Sequence, residues 1–165
     1  MGLTERIRSP RDMMHVEGDI PVNYLYTAGV SGERFLREIK ENAKILGIKC
    51  RRCNTVHVPP KIYCERCFER LDEWVELTGE GQVEAFTTCH FDPDGSRLAE
   101  PEILAAIRLR GANESIVHRI KQASSESVYI GMNVEAVFRE KKDRVGSILD
   151  IDHFKPCAPL GMERF

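Results

Sequence analysis

Four of the six cysteines in this 165-residue chain are spaced for metal chemistry. Cys50-Arg-Arg-Cys53 and Cys64-Glu-Arg-Cys67 are two C-x2-C hooks separated by ten residues. A turn that brings the hooks together places four thiolates at the corners of a tetrahedron, the arrangement Zn2+ accepts, or iron in the same cage. Four sulfur ligands close that site and leave no position for an activated water, so the metal is expected to be structural. Two disulfides are the competing use of the same cysteines, with three possible pairings. The opening Met1-Gly-Leu-Thr-Glu-Arg6 lacks the apolar core of a secretory signal, which favours the metal. Asn54 directly follows the first hook, and Asn tolerates the left-handed backbone a metal knuckle needs there; Phe68 follows the second and suits it less well. Pro59-Pro60 makes the link between the hooks stiff and extended.

The other reactive side chains do not assemble into catalytic machinery. His15, His57, His90, His118 and His153 are scattered. Cys89 and His90 are adjacent on an expected strand, where neighbours point to opposite faces and cannot form a nucleophile–base pair. His118 falls on an apolar alternation and reads as a buried imidazole, and Cys157 sits in the tail. There is no G-x-S-x-G, no phosphate-binding glycine loop and no H-E-x-x-H. No catalytic residue is assigned.

Charge is organised around the hooks. Between residues 45 and 64 the charged side chains are Lys49, Arg51, Arg52 and Lys61, all cationic; Glu69, Asp72, Glu73, Glu76 and Glu80 then reverse the sign. The cations offset the formal −2 charge of a zinc–tetrathiolate cage, or receive phosphates; the two uses are compatible. The net charge of −2 and pI near 6.2 argue against a life on nucleic-acid backbone. No run of 18 apolar residues suggests a membrane span, and Arg6 removes the myristoylation pattern, so a cytoplasmic location is the default expectation.

The elements that must position the hooks follow from periodicity. Ser31 is expected to cap a helix with Glu33 in its first turn, Phe35, Leu36, Ile39 and Ala43 on one face, and Arg34/Glu38 and Arg37/Glu41 paired on the other. Ile45 to Ile48 enters the ribbon as a strand. Glu73 to Leu77 is another, with Trp74 closing a small core. From Gly81 the period becomes two. Val83, Ala85, Thr87, Cys89 and Phe91 alternate with Glu84, Phe86, Thr88 and His90, which puts Phe86 on the outer face. Asp92-Pro-Asp-Gly95 is a turn. Ile103–Leu109, Ile116–Lys121 and Val134–Phe138 are further strands, and Val145–Phe154 is the fifth, with Gly146 as a bulge. A long first strand and a connection between the third and fourth give the layout of a Greek-key OB barrel. The expected division is an N-terminal arm and helix (1–44), zinc ribbon (45–78), OB-fold (79–156) and C-terminal tail (157–165).

Leu36-Arg-Glu-Ile39, Gly47-Ile-Lys-Cys50-Arg-Arg-Cys53, Val58-Pro-Pro-Lys-Ile-Tyr-Cys64-Glu-Arg-Cys67, Gly81-Gln-Val-Glu-Ala-Phe-Thr87, Ile130-Gly-Met-Asn-Val134 and Phe154-Lys-Pro156 occur in this order. Over roughly residues 20–156 the chain resembles the acyl-CoA-associated zinc-ribbon/OB-fold proteins of archaea and bacteria, long catalogued as a domain of unknown function. The resemblance implies a mainly β protein with an N-terminal helix and a rubredoxin-like zinc ribbon followed by a five-stranded OB-fold barrel. It implies an accessory protein, not an enzyme. Its partner would be an acyl-CoA enzyme of the thiolase or hydroxymethylglutaryl-CoA synthase type, and its ligand CoA or acyl-CoA, held where helix, ribbon and barrel meet. Cys50, Cys53, Cys64 and Cys67 match the metal positions. Tyr24, Phe35, Lys49, Arg51, Arg52, Lys61 and Phe86 are the candidate CoA contacts, combining cations for phosphates with apolar surface for the thin arm. The alternative is a single-stranded nucleic-acid binder, with Phe86 stacking a base.

Overall fold

The computed structural model describes residues 25–92 and 94–158, together with Ser9 and Gly18. Helix α1 (Gly29–Asn42) leads into a three-stranded ribbon of β1 (Ile45–Lys49), β2 (Val56–His57) and β3 (Glu73–Leu77), ordered β2-β1-β3. Five strands then form a barrel: β4 (Glu80–Phe91), β5 (Arg97–Leu109), β6 (Ser115–Ile120), β7 (Asn133–Phe138) and β8 (Ile151–Pro156). Their order is β4-β5-β6-β8-β7, closed by β7 against β4, with β6 and β8 parallel through Ile120 and Phe154. This is the OB-fold topology expected from the strand count.

One core serves all three parts. Phe35 and Ile39 of α1, Ile45, Leu46, Val56, Val58 and Leu77 of the ribbon, and Ile107, Leu109, Val134 and Phe154 of the barrel belong to a continuous buried cluster. The apolar face of α1 is therefore consumed inside the chain, with Ile39 wholly buried. The helix starts at Gly29 with Ala28 as its unassisted cap. Ser31 lies within it and is buried, so the expected Ser31 cap is not formed. Arg37 pairs back to Glu33 at 3.3 Å, and Arg34 lies over the Trp74 ring at 4.3 Å, fastening the helix to β3.

Two strand readings change. Val83 pairs with Ile107 but Ala85 pairs with Ala106, so Glu84 is an extra residue in β4. This bulge inverts the alternation: Phe86 lies opposite Ala105, and Thr88 opposite Ile103, on the inward face. Phe86 thus shares a face with Ala105 and still remains 36% exposed. The fifth strand begins at Ile151, not Val145. Residues 145–150 form a turn in which Gly146 takes φ +89° and the buried Asp150 carboxylate accepts the N–H groups of Val145, Gly146 and Ser147. Those donors are committed to Asp150 and cannot join a ladder. Farther along β5, Leu98 to Pro101 bulge opposite His90, a place where a proline costs no ladder bond. Gly81 answers to a close approach: a Cβ there would stand 2.5 Å from the Arg108 carbonyl oxygen across the β4–β5 pair.

Candidate metal centre and its surroundings

The two hooks are built alike. Asn54 N–H donates to the Cys50 carbonyl at 2.8 Å, and Phe68 N–H to the Cys64 carbonyl at 2.8 Å. Cys50 N–H reaches Thr55 O and Cys64 N–H reaches Glu69 O, both at 2.9 Å. Each knuckle turns through a left-handed residue, Asn54 at φ 58° and Phe68 at φ 59°. The second is a bulky side chain in a conformation that costs it about 1–2 kcal/mol.

The four sulfur atoms lie within 4.8 Å of one another, and no disulfide joins them. Cys50 Sγ is 3.4 Å from Cys67 Sγ, and Cys53 Sγ is 3.5 Å from Cys64 Sγ. A disulfide needs about 2.05 Å, whereas sulfurs about 2.3 Å from one zinc stand roughly 3.8 Å apart. The cage fits a tetrahedral metal within a small expansion. Its protonation chemistry agrees. Burial pushes the Cys64 thiol up, but the N–H groups of Arg66 and Cys67 and the His57 ring bring it down to about 6. Cys67 receives the Glu69 N–H, yet burial and the neighbouring sulfurs drive it up to about 12. Four thiolates cannot share this space without a cation, and a divalent metal supplies it. When bound, that metal ties the two hooks together; Cys50 and Cys64 are fully buried, and Ile48 and Leu71 complete a small core around them.

Behind the cage lies a polar joint to the barrel. Asn113, in the turn between β5 and β6, accepts from Val56 N–H through its side chain at 2.8 Å and donates its own N–H to Val56 O at 3.0 Å. Next to it, Glu114 holds His57 Nδ1 at 2.7 Å and Lys61 Nζ at 2.9 Å. Lys61 also reaches Glu65 at 2.8 Å. His57, Glu65 and Glu114 are close enough to hold a cation, and the Lys61 ammonium stands between the carboxylates in that role. Burial lowers the affinity of the His57 ring for a proton, but Glu114 and Cys64 outweigh it and the pKa is raised.

The candidate CoA contacts do not converge. Tyr24 lies outside the described residues. Phe35 is 3% exposed, inside the core, and offers no surface to a ligand. The junction of helix, ribbon and barrel where a pocket was expected is filled by that core. A shallow cavity of about 380 Å³ lies elsewhere, between Glu100–Ile103 and Arg119–Ala123. Arg51 pairs with Asp72 at 3.2 Å and Glu73 at 3.4 Å, Lys49 with Glu73 at 4.0 Å, and Lys61 with Glu65 and Glu114. Among the described residues Arg52 makes a 3.5 Å contact to the Cys67 carbonyl and no ion pair. Asp72 and Glu73 from the acidic run after Cys67 thus engage Lys49 and Arg51, whereas Lys61 is held by Glu65 and Glu114. Sequence reasoning missed His57, Asn113, Glu114 and Asp150. Fifty-seven residues separate His57 from Glu114, and no local pattern links them.

A four-cysteine ribbon running directly into a closed five-stranded Greek-key barrel defines a zinc-ribbon/OB-fold protein. The rubredoxin-like zinc ribbon domain of ChsH2 matches residues 37–73, and the C-terminal OB-fold domain of ChsH2 matches residues 74–139. A DUF35 domain-containing scaffold protein of Methanocaldococcus jannaschii is 37% identical over 112 residues, covering 67% of this chain and 78% of that protein. Another, of Methanothermobacter thermautotrophicus, is 27% identical over 113 residues, covering 67% and 83%. The chain belongs to the DUF35 family. Among solved structures, a DUF35 protein of unknown function from Sulfolobus solfataricus shares 30% identity with a TM-score of 0.57, over 66% of this chain and 78% of that one. A chain of the Ltp2-ChsH2(DUF35) aldolase shares the fold at 22% identity and TM-score 0.56, over 74% and 91%.

Proposed function

We propose that this chain is a non-catalytic scaffold that binds an acyl-CoA enzyme of the thiolase or hydroxymethylglutaryl-CoA synthase type and lines part of its CoA path. The observation that carries the reading is membership of a family whose relatives are named scaffold proteins. The fold neighbour found in an aldolase assembly points the same way. The chemistry of the chain agrees with it. The metal cage is closed by four sulfurs, and the buried Asp150, His57 and Thr55 are engaged in holding loops and hooks.

The surface provides material for docking. Ile62, Tyr63 and Phe68, all on or beside the second hook, are 46%, 58% and 81% exposed. Phe68 keeps its bulk in a left-handed conformation, a cost that a binding role repays. For the CoA phosphates, Arg52 is the first choice among the cations, and Arg51 follows, since its ion pairs are exposed and readily exchanged. The nucleic-acid alternative is weakened, because the bulge puts Phe86 on the face of Ala105, where only 36% of it stays exposed. The test is capture of the tagged, zinc-loaded chain from its native cells, with identification of what it holds. An acyl-CoA enzyme at a stoichiometric ratio supports the proposal. Single-stranded DNA or RNA with no acyl-CoA enzyme refutes it.

A further inference from the structure

We propose that the open edge of β4, from Ala85 to Phe91, is a docking site at which the partner enzyme adds an extended segment of its own chain to the barrel sheet as a strand. The proposal rests on the scaffold reading and names a surface that serves it. β7 follows β4 only from Glu80 to Gln82. Val83 makes the last bonds on that side, accepting the Gly131 N–H at 2.7 Å and donating to the Met132 carbonyl at 3.0 Å. There the β6–β7 loop parts from the strand, with Gly131 at φ +90°, while β4 runs on to Phe91. Backbone groups point to alternate sides along a strand. Ala85 and Thr87 pair with Ala106 and Leu104 and serve the β4–β5 ladder, so the N–H and C=O groups of Phe86 and Thr88 face away from β5. Among the described residues no strand and no backbone hydrogen bond answers them. The same gap leaves Phe86 partly exposed although it shares a face with the buried Ala105.

The two margins of the β4–β5 hairpin differ in how they are defended. β6 leaves β5 at Ile103, so that margin is open as well. It carries Glu100-Pro101-Glu102, two charges and a residue without an N–H, which keep foreign strands away. From Ala85 to Phe91 there is no Asp, Glu, Lys, Arg or Pro. Tyr129 and Ile130, just before Gly131, stand exposed where the loop leaves the edge. Acids mark both ends: Glu84, shared with Arg108 and Ser115, and Asp92 with Asp94 at the hairpin tip. The segment that fits is uncharged in its middle, with apolar side chains at alternate positions, and basic at its flanks. A second copy of this chain fits worse. With Thr88 against Thr88, Glu84 of each copy would face Asp92 of the other, and so short an edge falls below the area of a stable dimer.

The test uses the zinc-loaded full-length chain and a purified acyl-CoA enzyme of the thiolase type from the same organism. Hydrogen exchange at the Phe86 and Thr88 amides should slow about tenfold or more in the complex, while the Ala85 and Thr87 amides, already in the ladder, change little. Thr88→Pro removes the Thr88 N–H on the open side, where an edge strand accepts a proline; affinity for the enzyme should fall about tenfold or more with zinc content unchanged. Ile130→Asp, at an exposed position, tests the same edge without touching the ladder and should cost about three- to tenfold in affinity. A complex that leaves the Phe86 and Thr88 amides unprotected, and that both variants form as well as the natural chain, overturns this proposal and leaves the scaffold reading standing. Protection of the same amides by self-association of the free chain, or by single-stranded DNA, overturns it too. No complex with the natural chain overturns both.

Discussion

Replacing Asp150 by Asn removes one acceptor from a fully buried site built on three donors. Val145 N–H bonds one carboxylate oxygen at 3.0 Å; Gly146 and Ser147 bond the other at 2.7 and 3.2 Å. The loop they organise touches α1, where Arg144 donates to the Lys40 carbonyl at 3.3 Å. In Asp150→Asn the new amide group must face either Val145 or the Gly146–Ser147 pair, donor against donor. Facing Val145 is cheaper, because that residue is 71% exposed and its N–H can turn to water. One charge-assisted bond is lost, about 1.5–3 kcal/mol, while relief from burying a charge returns part of it; the net cost is about 2 kcal/mol. For a chain of this length that lowers the melting midpoint by about 4–8 °C. The sign of the pH dependence follows from the same bonds. Burial pushes the Asp150 carboxyl up, but the three N–H groups outweigh it and hold it below the usual range. Its contribution is therefore complete above the ordinary carboxylate pKa and is lost as pH falls through the depressed value. Thermal unfolding of the zinc-loaded proteins should show the full gap at neutral pH and a closing gap in acid. Equal midpoints at neutral pH, or a gap that does not change with pH, would refute the reasoning.

Gly81→Ala should destabilise the barrel by about 1–3 kcal/mol, because its Cβ meets the Arg108 carbonyl and not a side chain that can turn away. Gly32→Ala, in the first turn of α1 with Ala28 Cβ 3.4 Å away, should instead stabilise by about 0.5–1 kcal/mol; urea titrations check both. Phe68→Asn should relieve left-handed strain and strengthen the ribbon by about 1 kcal/mol, while weakening capture of the enzyme partner; unchanged capture would remove Phe68 from the interface. Asp152 is held down to about 2, chiefly by His153 and also by Lys121. The stability it confers is whole above the usual carboxylate range and lost as pH falls toward 2, so Asp152→Asn should flatten the acid limb of a stability–pH curve.

Much of this structure was legible in the sequence because its determinants are local. The C-x2-C hooks carry their own geometry, and Asn54 signals the left-handed turn that Phe68 also adopts. The strand count and the ribbon-to-barrel order follow from turns and period-two runs. The errors arose where one residue changes the register or a distant group captures backbone. Glu84 adds a residue to β4, and everything beyond it changes face; a run of small and threonine side chains gave no warning. The apolar run from Val145 looks like a strand until Asp150 takes its donors. His57 and Glu114 meet through the fold alone, as do Arg51 and Asp72, which turned an apparent cluster of cations into ion pairs.

The central claim is that this chain serves an acyl-CoA enzyme without catalysing by itself. Co-expression with an acyl-CoA enzyme of the thiolase type from the same organism, followed by calorimetry of the zinc-loaded assembly with a CoA thioester, tests that most directly. The account predicts a stoichiometric complex that binds the thioester, weakened binding in Arg52→Ala with metal content intact, and no turnover by the purified chain. A chain that separates from the enzyme and processes the thioester unaided would contradict it.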